Sequence, residues 1–215
     1  MIASDYCRTR FAPDARREVL WQTLVRYYFS KFILPGDTVL EMGAGYCNFI
    51  NNVTAARKLA LDIWDEFPNY AAPDVETHVG PVQELGWIAD RSVDFAFASN
   101  LFEHVPQSVF SSVLSQLKRK LKPGGTLTLL QPNYRFAYRE YFDDYTHITV
   151  YSDIAIRDFL EANGFEVIEC HPRFMPLTIK SRFKVSPLLI RAYLLSPFKL
   201  MGKQMLIRAR VAEDL

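Results

Sequence analysis

The chain has 215 residues, of which 49% are hydrophobic and 14% aromatic, which is enough apolar material for one large domain with a buried core. Twenty-five Lys and Arg residues against 24 Asp and Glu leave a net charge of +1. No strong positive field would attract a phosphate backbone, so we expect no nucleic-acid partner. Three widely spaced cysteines form no C-x-x-C pair, and we predict neither disulfides nor a metal site. Because no signal peptide or long apolar span is recognisable, we expect a cytoplasmic protein.

The N-terminal segment, residues 1–37, predicts a helix. Apolar residues recur at helical spacing from Asp14 to Phe32, and Asp14 is a suitable N-cap residue. The turn 35–37 contains Pro and Gly, so the helix should end before it and a strand should follow.

An apolar strand at 39–42 runs directly into a glycine turn. Gly43 and Gly45 allow the backbone to bend sharply and to approach a ligand closely. A second apolar strand ends in Asp62, about 20 residues after the first glycine, where a carboxylate can accept hydrogen bonds from ribose hydroxyls. The combination predicts a site for an adenosine-bearing cofactor.

Strands and helices alternate through the rest of the chain, which predicts parallel βαβ units in an α/β fold. The predicted elements are a short helix at 48–56, strands at 58–62, 75–79 and 92–98, a helix at 107–121, a strand at 126–130, a helix at 152–163, a strand at 165–170 and a final strand at 203–211.

In this order the segments resemble the class I S-adenosylmethionine-dependent methyltransferases of the small single-domain type. The resemblance covers roughly Thr38 to Arg210. It is carried by the segments Leu40-Glu41-Met42-Gly43-Ala44-Gly45, Ala60-Leu61-Asp62, Val93-Asp94-Phe95, Ser99-Asn100-Leu101-Phe102-Glu103-His104-Val105 and Leu121-Lys122-Pro123-Gly124-Gly125.

The resemblance implies a Rossmann-like, seven-stranded, mostly parallel sheet with helices on both faces and an antiparallel last strand between strands five and six. It implies one domain over 1–215. We divide that domain into the N-terminal helical segment 1–37, a cofactor-binding core at 38–170, a lid-like insertion at 171–202 and the final strand at 203–211.

By the same resemblance the cofactor is S-adenosyl-L-methionine, and the product is S-adenosyl-L-homocysteine. The residues implied for the cofactor are Glu41 near its amino group, Gly43 and Gly45 under its methionine and ribose, Asp62 at the ribose hydroxyls, Ile63 on adenine, Val82 and Gln83 at the adenine edge, and Asn100 at the methionine end. The chain departs from the family pattern at Cys47, where a glycine is common, and at Pro81, where an acidic residue often begins the adenine contact. The departure at Pro81 leaves adenine recognition to backbone groups.

Methyl transfer to oxygen is aided by a base that removes the acceptor's proton. His147 lies in the segment after strand five, where ligands bind in open α/β sheets, and we predict that it is this base. Asp144 would orient it or act as an alternative base. Catalysis by alignment of acceptor and methyl group, without a base, remains a second hypothesis. The pair Glu103-His104 is interpreted more simply, as a surface turn.

We expect an O-methyltransferase acting on a small-molecule, sugar or lipid-linked acceptor, because residues 173–204 loosely resemble methyltransferases of bacterial polysaccharide and glycolipid synthesis. A non-catalytic S-adenosylmethionine-binding scaffold is the alternative, and a dehydrogenase is disfavoured by the segments after strand five. The apolar and basic residues of 184–199 predict either a helix packed on its own domain or a peripheral membrane contact.

Overall fold

A computed structural model describes residue 12 and residues 14–176, 185–199 and 201–212 of the chain. These residues form two compact units. The first contains the described residues up to 81 together with 185–198, and the second contains 82–176 and 199–212.

Five α-helices and seven strands are described, in addition to short 3-10 turns. The helices are α1 Ala15–Tyr27, α2 Gln107–Lys120, α3 Tyr134–Ala137, α4 Asp153–Ala162 and α5 Pro187–Leu195. The strands are β1 Thr38–Met42, β2 Arg57–Asp62, β3 Val75–Val79, β4 Val93–Ser99, β5 Leu121–Pro132, β6 Phe165–Met175 and β7 Gln204–Val211.

The strands form a seven-stranded sheet in the order β3-β2-β1-β4-β5-β7-β6. Pairing is parallel between β1 and β2, between β2 and β3, and between β4 and β5. Strand β7 is antiparallel to both of its neighbours, β5 and β6. The predicted Rossmann-like sheet, with its last strand inserted between strands five and six, is confirmed.

In the first unit, α1 begins where the sequence predicts. The carboxylate of Asp14 accepts a hydrogen bond from the Arg16 amide at 2.9 Å, so Asp14 is the N-cap. The parallel strands β1 and β2 are apolar and largely buried, as strands covered on both faces should be.

The helix predicted at 48–56 is absent, and a single 3-10 turn over Ile50–Asn52 stands in its place. Asparagine side chains compete with helical backbone bonding here. The Asn51 side chain donates to the Tyr70 carbonyl and accepts from the Ala72 amide, each at 2.8 Å. Asn48 and Asn52 donate to the carboxylate of Glu18 on α1. This segment is therefore a loop held by side chains.

In the second unit, β6 continues through Met175, five residues past the predicted end at Cys170. Pro172 suggests a strand end, but the register between β6 and β7 shifts between His171 and Met175, and proline is tolerated at such irregularities on an edge strand. The lid-like insertion predicted at 171–202 therefore cannot begin at 171. Residues 177–184 of that insertion lie outside the described residues.

Helix α5 packs against α1 within the first unit, and the guanidinium of Arg191 lies 5.0 Å from the ring centre of Tyr27. Among the residues that the structure describes, no helix is long and apolar enough to span a membrane.

Candidate functional site

The glycine turn of the first unit begins where β1 ends. Gly43 and Gly45 both have positive φ, at 72° and 50°, where a side chain would strain the backbone. The amide of Gly43 donates to the Leu61 carbonyl at 2.8 Å, so β2 fixes the start of the turn. Cys47 also has positive φ, at 55°, and its buried thiol fills the position where the family commonly has glycine.

Asp62 lies at the end of β2 and is half-buried. Its Oδ2 accepts from the Gly45 amide at 2.8 Å, and its Oδ1 accepts from the Trp64 amide at 2.9 Å. One carboxylate therefore connects the glycine turn to the residues after β2. Burial raises the pKa of Asp62, although the hydrogen bonds from backbone amides oppose this shift.

Glu41 is buried beneath the same turn. Its Oε2 accepts from the Ile50 amide at 3.1 Å. Burial, with a smaller contribution from the charge of Asp62, raises the pKa of Glu41 well above its usual value. Glu41 therefore connects the end of β1 to the segment that follows the glycine turn.

Aromatic side chains surround this turn, which sequence reasoning did not predict. Trp64 stacks on Tyr70 at 5.2 Å between ring centres, and Tyr46 meets both rings edge-on. Within the described ranges of the chain, the buried indole Nε1 of Trp64 has no hydrogen-bond partner. Ile63 projects into solvent with 66% of its surface exposed, so an apolar face is available beside Asp62.

In the second unit, Asn100 follows β4 in a left-handed conformation with φ of 50°. Non-glycine residues adopt this conformation at a cost, and such residues cluster at functional sites. The Asn100 side chain accepts from Gln204 Nε2 at 3.2 Å and is exposed. Val82 and Gln83 lie in a turn that is held by Gln116 of α2, whose amide donates to the Gln83 carbonyl and accepts from the Leu85 amide.

The segment after β5 is attached firmly to the segment after β4. The Glu103 carbonyl accepts from the amides of Ile148 and Thr149, at 2.9 and 3.1 Å. The Thr149 hydroxyl donates to the Val105 carbonyl at 2.7 Å. These bonds join two segments that emerge from the carboxyl ends of adjacent parallel strands, the edge at which ligands bind in such folds.

The attachment brings together Glu103, His104 and His147. One ligand atom from each residue lies within 4.8 Å of the other two, and the histidine rings meet edge-on at 4.7 Å. Glu103 is completely buried, and neither carboxyl oxygen has a hydrogen-bond partner in another residue that the structure describes. The interpretation of Glu103-His104 as a surface turn was therefore wrong. Its burial could not be inferred because it depends on a segment some 40 residues later.

Hydrogen bonds fix the orientation of both imidazoles. His147 Nδ1 donates to the Tyr141 carbonyl at 2.5 Å, so Nε2 carries its lone pair. The Thr146 hydroxyl donates to Asp144 at 2.6 Å and accepts from His104 Nδ1 at 2.8 Å. Asp144 is thus linked through Thr146 to His104, a connection that the sequence did not suggest.

Burial dominates the electrostatics of this group. It raises the pKa of Glu103 to about 8 and lowers the pKa of His104 to about 4, with His147 adding to the second shift. At pH 7 both groups are mainly neutral, so the 4.0 Å approach of Glu103 Oε1 to His104 Nε2 is not an ion pair in this state. The pKa of Asp144 is lowered because the hydrogen bonds from Thr146 and the nearby histidines outweigh partial burial.

Sequence comparison assigns the chain to a known family. A methyltransferase domain family matches residues 14–170. Two uncharacterised Mycobacterium tuberculosis proteins, Rv1509 and MT1557, are 31% identical over 71 residues, which is 33% of this chain and 24% of each relative. The matched segment is therefore a small part of those longer proteins.

Solved structures show the same fold at low identity. An S-adenosylmethionine-dependent methyltransferase of Archaeoglobus fulgidus is 19% identical with a TM-score of 0.69, covering 96% of this chain and 98% of that one. A Haloferax volcanii protein solved with the Trm112 methyltransferase activator has 18% identity and a TM-score of 0.69 over 100% and 97% of the chains. The geranyl diphosphate C-methyltransferase of Streptomyces coelicolor has 13% identity and a TM-score of 0.60 over 92% and 77%. The chain belongs to the methyltransferase domain family, and its fold is that of the S-adenosylmethionine-dependent methyltransferases to which it is similar.

Proposed function

We propose that this chain transfers the methyl group of S-adenosylmethionine to a hydroxyl oxygen of a small-molecule, sugar or lipid-linked acceptor. The observation that carries the proposal is the glycine turn joined to Asp62, because it has the backbone bend and the carboxylate that a ribose-bearing cofactor requires.

We propose the following roles for the cofactor residues. Each carboxylate oxygen of Asp62 accepts one hydrogen bond from a backbone amide and has a second lone pair. Asp62 can therefore also accept hydrogen bonds from ribose hydroxyls. The exposed side chain of Ile63 can cover adenine. The remaining assignments are Glu41, Gly43, Gly45 and Asn100 for the methionine and ribose portions, and Val82 and Gln83 for the adenine edge.

We propose His147 as the group that takes the acceptor's proton. The bond from Nδ1 to the Tyr141 carbonyl supports this role because it leaves the basic lone pair on Nε2. Asp144 is the second candidate base, and its lowered pKa keeps it ionised at neutral pH. Much of the remaining acceleration would come from alignment, since the sulfonium is already a strong electrophile.

A radiolabelled transfer assay tests the function. The protein is incubated with methyl-labelled S-adenosylmethionine and with hydroxyl-bearing sugars, polyprenyl-linked sugars and small phenols, and each product is counted. Transfer to one acceptor class supports the proposal. Binding of S-adenosylhomocysteine without transfer to any class of acceptor would favour the alternative, a non-catalytic scaffold.

We further propose that residues 184–199 make a peripheral membrane contact, which would suit a lipid-linked acceptor. The supporting observation is that no residue of α5 is buried. Leu188, Leu189, Leu195 and Phe198 expose 58–74% of their surfaces. Arg191 and Lys199 could meet anionic headgroups. Lys184, also assigned to this contact, lies outside the described residues.

Co-sedimentation with vesicles of phosphatidylglycerol and phosphatidylcholine tests the contact. We expect the double variant Leu188→Ser, Leu189→Ser to reduce binding, while Ile154→Ser, which changes an exposed apolar residue of α4, leaves it unchanged. Equal sedimentation of all three proteins would exclude α5 as the contact.

We also propose a cytoplasmic location, which the free thiols of Cys47 and Cys170 support.

A further inference from the structure

We propose that Glu103, His104 and His147 bind a divalent transition-metal ion. Two imidazoles and one carboxylate are a ligand set used by catalytic zinc and non-haem iron sites. The three ligand atoms already lie within 4.8 Å of one another. A tetrahedral ion needs them at about 3.3 Å, so the side chains must close by roughly 1–1.5 Å.

Glu103 gives the strongest indication of a cation. Its side chain is completely buried, and neither oxygen has a hydrogen-bond partner among the described residues. Buried polar groups are nearly always paired, and each exception calls for an explanation. A metal ion beside Oε1 would supply a partner for the carboxyl, and it would compensate the negative charge that Glu103 gains when it loses its proton on binding the ion.

The surroundings of the histidines resemble those of metal ligands. A ligating histidine usually donates its other ring N–H to a carbonyl or a carboxylate, which orients the ring toward the metal. His147 Nδ1 donates to the Tyr141 carbonyl, and His104 Nδ1 reaches Asp144 through the Thr146 hydroxyl. In both rings this network assigns the ligand lone pair to Nε2.

The backbone also fixes the two halves of this Glu-His-His cluster. Two backbone amides donate hydrogen bonds to the Glu103 carbonyl, and the Thr149 hydroxyl donates one to the Val105 carbonyl. These hydrogen bonds hold the second histidine against the first. A site supported in this way loses little conformational freedom when the ion binds.

This inference refines the proposed function and depends on it only for the role of the ion. With a metal bound, His147 Nε2 is a ligand rather than the base. The ion would then polarise the acceptor hydroxyl and favour its ionisation, as zinc does for bound water, and the released proton would pass to solvent or to Asp144, the second candidate base. Metal binding itself requires neither S-adenosylmethionine nor an acceptor.

Calorimetric titration of the chelator-treated full chain with Zn²⁺, in the absence of cofactor, tests the site. We expect one ion per chain for the wild type and a loss of more than about 100-fold in affinity for Glu103→Gln and for His147→Ala. Thr146→Val keeps all three ligands but removes the orienting hydroxyl, and we expect about a 10- to 100-fold loss.

His171→Ala is the matched control, since His171 forms another histidine–carboxylate pair, with Glu169 at 2.7 Å, and is 44% exposed. Its affinity for Zn²⁺ should equal that of the wild type. Calorimetry with S-adenosylhomocysteine checks that each variant folds, and Thr146→Val carries the test if Glu103→Gln does not fold.

The metal site is overturned if the wild type does not bind Zn²⁺, or if Glu103→Gln and His147→Ala both bind Zn²⁺ with the affinity of the wild type. In either case His147 remains the proposed base. Metal binding without any methyl transfer would instead overturn the proposed function alone.

Discussion

The glycine turn after β1 and the Glu-His-His cluster both follow the ends of buried strands, but their polar groups are satisfied differently. In the turn, each carboxylate oxygen of Asp62 accepts a hydrogen bond from a backbone amide, and the buried carboxyl of Glu41 accepts another. In the cluster, the buried Glu103 carboxyl has no hydrogen-bond partner in any other described part of the chain. The turn therefore stabilises its own backbone through internal hydrogen bonds, whereas burial of the Glu103 carboxyl is not offset by such bonds among the described residues.

The two regions also differ in how far apart their residues lie in the sequence. The Gly45–Asp62 bond joins residues 17 positions apart, and the Thr146–His104 bond joins residues 42 positions apart. The spacing of the turn is a recognisable motif. The cluster depends on the path of a long segment after β5, so its members cannot be matched from spacing alone.

The largest expected effect separates chemistry from cofactor binding. His147→Ala should reduce methyl transfer by about 10²–10⁴-fold, the usual contribution of a positioned acid or base. Its affinity for S-adenosylhomocysteine should stay at the wild-type value, because cofactor binding is assigned to the turn. Initial rates with the best acceptor and calorimetry measure the two quantities. A matching loss of cofactor affinity would remove the distinction between the regions.

A smaller effect is expected at the turn. Asp62→Ala should weaken binding of S-adenosylhomocysteine by roughly 10- to 160-fold, since a hydrogen bond to a charged group contributes about 1.5–3 kcal/mol. Asp65→Ala removes an exposed carboxylate three residues away and should bind normally. Unchanged affinity in Asp62→Ala, measured by calorimetry, would show that the cofactor binds elsewhere.

The smallest effect concerns the N-cap of α1, which, like the glycine turn, is formed by residues that lie close together in the sequence. Asp14→Ala should lower the free energy of unfolding by about 1 kcal/mol at pH 7. The hydrogen bond from Arg16 lowers the pKa of Asp14 to about 2. Since this folded value lies below the usual 3.8, the contribution is present above pH 3.8 and is lost as the pH falls through 2.

Denaturant unfolding at several pH values measures this contribution. Asp14→Asn is the control, because Asn caps helices about as well as Asp but does not titrate in this range. A difference between Asp14→Ala and the wild type that stays constant down to pH 2 would contradict the contribution assigned to the charge of Asp14.

Local and periodic features were predictable from the sequence. The strand ends at Met42 and Asp62 and the cap at Asp14 follow rules that act over a few residues. The antiparallel position of β7 came from the family resemblance, because residue spacing alone does not specify the neighbours of a strand.

Features governed by distant partners were not predictable. The loop at 48–56 resembles a helix in pattern, but its asparagines bond to α1 and to the segment near Tyr70 instead. The extension of β6 past Pro172 depends on its pairing with β7. The burial of Glu103 depends in the same way on a segment far along the chain.

The position of β7 has a consequence for the order in which the second unit can fold. Among the strands that the structure describes, β6 is paired only with β7, so this pairing cannot form until residues 204–211 have been synthesised. During translation, β4 and β5 can pair with each other, whereas β6 stays unpaired until β7 has been synthesised. Pairings between distant segments form slowly, and unpaired edges favour aggregation. Completion of this unit should therefore be the step most vulnerable to misassembly and the one most dependent on chaperones.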